Sequence, residues 1–291
     1  MNDPKQDSMT SLRERLQALY HDDTKHANYQ NIPAFVREAM VYSESIDEGW
    51  RGDTARYHLI LDELSIGSGQ VIGDVGANTG FFTLSLAHAN PQSRFVAYET
   101  NANHVDFVRL IADAFEMTNV SVLPTAVDLA GIDGLLQHDI LLHLNVLHHA
   151  GHDFDRALVD STDGFFDYAV DYLRRLRHKT AALVFQMGSN WGGDKATPIV
   201  PVRDDCGKIM LTQRLFAEAG WRVTSIAMAT HQEDAVVYRR LPAELLEVIE
   251  RNSAATEIPQ LTTFVDDLDL DRFPGEFYRR PIFFCQAAAN L

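Results

Sequence analysis

Apolar residues change their spacing along this 291-residue chain, and the change divides it. Up to about residue 65 the spacing is helical. Leu12, Leu16 and Leu19 share one face at i, i+4 and i+7. Pro33 suits a first helical turn ahead of Phe35/Val36 and Ala39/Met40. Tyr57, Ile60/Leu61 and Leu64 give a third amphipathic stretch. From about residue 70, short apolar runs alternate with helical ones. Gln70–Val75, Arg94–Glu99, Val120–Leu123, Asp139–Leu144, Ala181–Gln186 and Trp221–Ala229 read as strands. Thr79–His88, Val105–Phe115, Phe165–Leu176 and Leu211–Ala219 read as helices, the last closed by Gly220.

Strands alternating with helices predict βαβ units and a mainly parallel sheet. The expected fold is α/β, a three-layer αβα Rossmann-like sheet of seven strands, the last antiparallel, with an N-terminal helical cap. Residues 1–65 would form the cap and 66–291 the main domain. Ile282–Cys285, after Arg279-Arg280-Pro281, is the expected last strand, which makes residues 231–278 an insertion. Its rival is Ala235–Tyr238, which would form a tight hairpin with the sixth strand. Ligands of such sheets bind outside the carboxyl ends of the strands. The loops after Val75, Glu99, Val127, Leu144 and Gln186 are therefore the places to look for chemistry.

The first of these loops carries the strongest motif, Gly73-Asp74-Val75-Gly76-Ala77-Asn78-Thr79-Gly80. Its glycines permit a tight turn, and the helix that follows offers free N–H groups. It is not the dinucleotide fingerprint G-x-G-x-x-G. Started at Gly73, that pattern needs glycine where Val75 and Asn78 stand; started at Gly76, it needs glycine at Asn78 and Phe81. No Gly-Lys-Ser/Thr follows, so a Walker A loop fails too. Glu99 ends the second strand, 19 residues after Gly80. A carboxylate there can accept hydrogen bonds from both hydroxyls of a ribose.

Asp74–Phe82 resembles motif I of the class I S-adenosyl-L-methionine (SAM) dependent methyltransferases. Val96–Glu99 resembles their ribose-binding strand end, and Asp139–His149 their fourth strand and the loop after it. The match runs from about residue 70 to 230. It implies SAM as cofactor, with Asp74 facing its amino-acid end and Gly76, Ala77, Asn78 and Gly80 packing along it. Glu99 would hold the ribose and Asn145 would touch the methionine portion. Many members bind the adenine amino group through an Asp after strand three. Here Thr125-Ala126-Val127-Asp128 places the acid late, so the backbone of Ala126 is the expected contact. Against these roles, Asp74 could be a helix-capping carboxylate and Glu99 a solvated strand end.

His138, His143, His148, His149 and His152 cluster around the fourth strand. A hydroxyl or amine that takes a methyl group must lose a proton, and His accepts one near neutral pH. His148 or His149 is the candidate base, with the alternative that either merely lines the pocket. His148, His152 and Asp153 could instead meet a metal, but no further ligand set is evident. His143 alternates within a strand and reads as core. Met187–Gly193 sets glycines around Trp191, either a lid or an ordinary docked loop. Tyr29, Trp50, Arg51, Arg56 and Tyr57 could close over the site. Arg56 could pair with the SAM carboxylate or lie on the surface. Asp266, Asp267, Asp269 and Asp271 read as a solvated face.

Composition narrows the partners. The chain has 25 Lys+Arg against 41 Asp+Glu, a net charge of −16. Such a protein repels phosphate backbones unless it carries a local basic patch, which makes nucleic acid unlikely as a partner and a small molecule the expected substrate. Cys206 and Cys285 make no disulfide framework. No signal-peptide core and no run of about 18 apolar residues is present. The chain reads as cytoplasmic, not membrane-bound, with its oligomeric state open, a homodimer included. The expected function is methyl transfer from SAM to oxygen or nitrogen of a small molecule. The alternatives are a tRNA (wobble-uridine type) modifying transferase, which the chain resembles weakly, and a SAM-binding protein without catalysis.

Overall fold

The computed structural model describes residues 10, 12–15, 18, 31–39 and 52–288, apart from 234, 254, 256 and 274. Leu16, Leu19, Tyr29, Met40, Trp50 and Arg51 fall outside these. In chain order the main elements begin with α1 (Ala34–Ala39), α2 (Asp53–Glu63), β1 (Val71–Val75), α3 (Phe81–Ala89), β2 (Arg94–Tyr98), α4 (Ala102–Ala114) and β3 (Val120–Leu123). Next are β4 (His138–Leu144), α5 (Thr162–Leu176), β5 (Thr180–Gln186), α6 (Asp205–Ala219) and β6 (Trp221–Gln232). The chain closes with β7 (Ala235–Arg240), α7 (Ala243–Arg251), α8 (Pro259–Asp266) and β8 (Ile282–Ala287).

The strands form one sheet in the order β3-β2-β1-β4-β5-β8-β6-β7. β1 to β5 are mutually parallel, and β8 runs antiparallel between β5 and β6. Alternation along the strands feeds two cores. Ile140 and Leu142 point into one, with Phe95, Ala97, Ile282 and Phe284, under Val36, Ile60, Phe82 and Val108 of α1 to α4. Leu141 points into the other, with Val96, Tyr98, Phe283 and Cys285, under Tyr172, Phe216, Ile249 and Leu261 of α5 to α8. This is the αβα sandwich. Among the described residues, no helix is long and apolar enough to cross a membrane.

The strand count is corrected from seven to eight. Ile282–Ala287 is the antiparallel strand expected near the end, and Ala235–Arg240 is a strand as well, not a rival to it. β6 runs past Ala229 to Gln232, and its second half pairs with β7 from Ala227↔Arg240 to Gln232↔Ala235. The segment between β6 and β8 thus adds an edge strand, and α7 and α8 then cover the second core. Gly220 closes α6 in the left-handed region at φ 79°. The structure leaves Leu12 buried and sets α2 against β7, with Arg240 Nε 2.5 Å from Glu63 Oε2.

Candidate active site

β1 ends at Val75, and the chain turns at once to start α3. Gly76 (φ 67°) and Gly80 (φ 78°) take left-handed conformations that favour glycine. Space is short as well: a Cβ on Gly76 would lie 2.6 Å from Val146 Cγ2. Asn78 shares the left-handed region at φ 52°, and its Oδ1 accepts from Thr79 N–H at 2.8 Å. Gly76 and Ala77 N–H both donate to Tyr98 O, tying the turn to β2. Glu99 is buried just beyond. Its Oε2 accepts from Asn78 N–H at 2.7 Å and its Oε1 from Asn101 N–H at 2.8 Å. A carboxylate offers about four acceptor positions, so each oxygen can accept once more.

A cleft of about 410 Å³ opens beside this turn, inside the usual range for small-ligand sites. The sheet order lays out its walls. Glu99, Asn101, His104 and Ala126 stand at the β2–β3 side; Asn145, His148, His149, Phe277 and Arg280 stand at the β4–β8 side. Of the residues expected from sequence, Gly76, Asn78, Glu99, Ala126, Asn145, His148 and His149 line it. Asp74, Ala77 and Gly80 do not. Ala77 is fully buried, and Gly80 packs on Val108. Asp74 lies beneath the turn, where Thr83 Oγ1 donates to its Oδ2 at 2.6 Å. Burial raises its pKa to about 7; the Thr83 hydrogen bond opposes this and the charge of Glu99 adds to it. Asp128 caps Gly131 N–H at 2.6 Å instead of facing a ligand.

The two candidate bases differ. His148 is buried, and its Nδ1 accepts from Gly188 N–H at 3.2 Å. Burial first, then His149, Arg280 and His143, hold its pKa well below the usual value. A ring nitrogen that accepts an N–H carries no proton, so the neutral ring is protonated at Nε2. His149 is less buried, and its Nδ1 lies 2.9 Å from Asp153 Oδ2. His138 and His143 are core residues, with Nε2 atoms 3.1 Å from Tyr98 OH and Tyr172 OH. Burial lowers the pKa of His143 to about 4. His152 packs edge-on against Trp191 rather than lining the cleft. Among the described residues, no three His, Cys, Asp or Glu side chains are placed to hold a metal.

Trp191 is docked: its Nε1–H donates to Ala150 O at 2.6 Å. Arg56 is buried rather than on the surface. It pairs with Asp53, donates from Nη1 to Gln186 Oε1 at 3.0 Å, and lies over the Phe82 and Phe277 rings. Gln186 Oε1 also accepts from Asn145 Nδ2 at 2.8 Å. Arg280 lies over Phe277 too, donates to Asn145 Oδ1 at 2.8 Å, and pairs with Glu276 at 3.2 Å. Sequence reasoning missed Gln186, Phe277 and Arg280 as site residues. Only the position of Arg280, just ahead of an expected strand, could have pointed to it. The acidic run is exposed, with Asp271 tied to Arg203 and Arg279 at 2.8 Å each.

No protein-family model matches the chain. The curated ribosomal RNA small subunit methyltransferase G of Coxiella burnetii, strains Dugway 5J108-111 and RSA 493, is 36% identical over 69 residues. That stretch is 23% of this chain and 34% of those proteins, so the chain spans about a third of the length of the curated relatives it matches. Among solved structures, WbdD at 2.2 Å is 20% identical, covering 77% of this chain and 45% of that one, at a TM-score of 0.50. Precorrin-6y C5,15-methyltransferase from Geobacter metallireducens GS-15 is 12% identical over 80% of this chain and 86% of that one, at a TM-score of 0.42. The likeness to WbdD, a bifunctional kinase-methyltransferase, is one of fold. The chain has the Rossmann-like αβα fold that its alternating strands and helices predict, and it shares that fold with WbdD.

Proposed function

We propose that the chain is a SAM-dependent methyltransferase acting on an oxygen or nitrogen of a small molecule. The observation that carries this is a cleft that has both Glu99 and the His148–His149 pair in its lining. Its donor set suits the cofactor. Glu99 can accept from both ribose hydroxyls, and the backbone at Ala126 can meet the adenine edge. Asn145 and the Arg56 guanidinium stand where the methionine end would lie. Gly76 and Asn78 line the wall between, while Asp74, Ala77 and Gly80 support the turn from behind. When bound, SAM supplies an electrophilic methyl group on a positively charged sulfur. The protein's part is then to hold the acceptor in line and to take its proton. His149 is the base in this reading, because the lone pair of His148 is committed to Gly188. Of the expected cap, α2 supports the reading by bringing Arg56 to the cleft.

The name of the curated relatives favours an RNA substrate as the second reading. Two features rank it lower. The net charge is −16. The exposed Arg174 and Arg175 end α5, just before β5 begins, and so lie at the amino ends of the strands, away from the cleft.

Calorimetry with SAM and with S-adenosylhomocysteine tests the core of the proposal: both should bind, and binding of neither would overturn it. Incubating the protein with methyl-tritiated SAM, a small-molecule extract and total RNA separates the substrate classes. Label should enter the small-molecule fraction; label in RNA would replace this reading with the second. A protein that binds SAM and labels neither would be a silent binder.

A further inference from the structure

Asp153 follows His149 by one turn, held there by its own N–H donating to His149 O at 2.9 Å. Both residues line the cleft, and Asp153 Oδ2 lies 2.9 Å from His149 Nδ1. The approach is close but bent, short of a linear hydrogen bond. Such contacts often straighten only when a ligand is bound. The rings of His148 and His149 are 4.2 Å apart, so two imidazoles of opposite tautomer can stand side by side. His148 carries its proton on Nε2, because Nδ1 accepts from Gly188. A carboxylate beside His149 Nδ1 favours the proton at that nitrogen, which leaves the Nε2 lone pair open.

We propose that Asp153 is the positioning residue that holds His149 as the Nδ1–H tautomer, leaving its Nε2 to take the proton from an O–H or N–H acceptor. This rests on the methyl-transfer reading above. The step balances. As the acceptor's lone pair forms its bond to the methyl carbon, the carbon–sulfur bond breaks and its electrons stay on sulfur as a neutral thioether. The acceptor proton passes to His149 Nε2, and the imidazolium leaves its Nδ1–H facing the Asp153 carboxylate. The proton then goes to solvent, since His149 is not sealed from it. The acceptor is thus a hydroxyl, amine or amide that needs a base, not a carbanion or a sulfur already ionised.

Long-range 1H–15N correlation spectra of the full chain at a pH where its histidines are neutral test this without a substrate. The His149 signals are assigned by their loss in His149→Gln. In the parent, His149 Nδ1 should resonate as a protonated nitrogen and Nε2 as an unprotonated one, with His148 the reverse. In Asp153→Ala the His149 pattern should move to mainly Nε2–H, while His148 stays as it was; a general fold defect would disturb both rings. An Nε2–H tautomer for His149 in the parent would overturn the proposal, even if the variant did not fold. So would an unchanged Nδ1–H pattern in the variant. S-adenosylhomocysteine is added to the parent in the same series. Failure to bind it sinks the methyl-transfer reading and leaves the tautomer result to be judged separately.

Discussion

The two sides of the cleft are built in opposite ways. The side at β1 and β2 comes from one continuous stretch, Asp74 to Asn101, and holds its shape at a cost. Asn78 sits in a left-handed conformation between two glycines that take it freely, and a carboxyl group is buried beneath them. The side at β4 and β8 is gathered from distant segments: Arg56, Asn145, Gln186 and Glu276 to Arg280. There the polar groups partner one another through Gln186 Oε1, Asn145 Oδ1 and Glu276. Local strain shapes the first side and long-range satisfaction of polar groups shapes the second. Variants should therefore divide: Glu99, which faces the cleft on the first side, should move cofactor affinity; Asp74, buried beneath that side, should move stability with pH; and Gly188 and Arg280 on the second side should move stability.

The largest effect is expected at Asp74. Its folded carboxyl takes up a proton near pH 7, against an ordinary value of 3.8. Between those values the folded state binds the extra proton, so this group's contribution to stability rises as pH falls from 7 and levels off below 4. At about 1.4 kcal/mol per pH unit, the gap is worth up to about 4 kcal/mol. Asp74→Asn keeps an acceptor for Thr83 and removes the charge. It should be more stable than the parent at pH 8 by up to that amount, with the advantage gone at pH 4, as read from urea unfolding. Taking the difference cancels the opposite trend of the buried His143 and His148, whose lowered pKa values cost stability as pH falls below 6.5. A variant less stable than the parent at pH 8 would mean that Asp74 is ionised and well partnered, and that the first side is not strained.

Glu99→Ala comes next. Two hydrogen bonds to a charged acceptor are worth about 3 kcal/mol together, so affinity for S-adenosylhomocysteine should fall roughly 100-fold. Loss of less than fivefold by calorimetry would take the ribose off Glu99. On the other side, Gly188→Ala would put a Cβ 2.6 Å from His148 Nε2, part of a buried ring. Overpacking of this kind costs about 2 kcal/mol. Stability should drop by that much while cofactor affinity stays within about threefold. A tenfold loss of affinity would show that the two sides are coupled.

This contrast also explains what could be read from the chain. The αβα sandwich was legible because period-2 and period-3.6 patterns repeat through it, and β3 begins and ends where its apolar run does. The Gly76–Gly80 turn and Glu99 were legible because they are close in sequence and need particular residue types. The edge strand β7 was misjudged because Ala235–Arg240 and Ile282–Ala287 compete for one place in a pattern; only the sheet shows that both pair. Asp74 looks the same in sequence whether it faces a ligand or lies beneath the turn. Phe277 carried no signal, and Arg280 only its place just ahead of a strand, because nothing local says that the chain before β8 returns to β5. Asp153 was noticed only as a metal candidate, since its partner across one turn depends on the path of the chain.

The smallest effect is expected at Arg280→Lys. A lysine keeps the charge and can still lie over Phe277, but its single ammonium cannot serve Asn145 and Glu276 as the guanidinium fork does. One charge-assisted hydrogen bond is lost, worth about 1.5 kcal/mol of stability in urea unfolding. Asn145 also meets Gln186, so it should keep its place, and S-adenosylhomocysteine affinity should change less than threefold. Stability unchanged within error would mean that the contacts around Gln186 hold the second side without Arg280. A drop in affinity with no drop in stability would reverse the division altogether, making Arg280 a ligand contact and extending the cofactor's footprint across the cleft to Phe277.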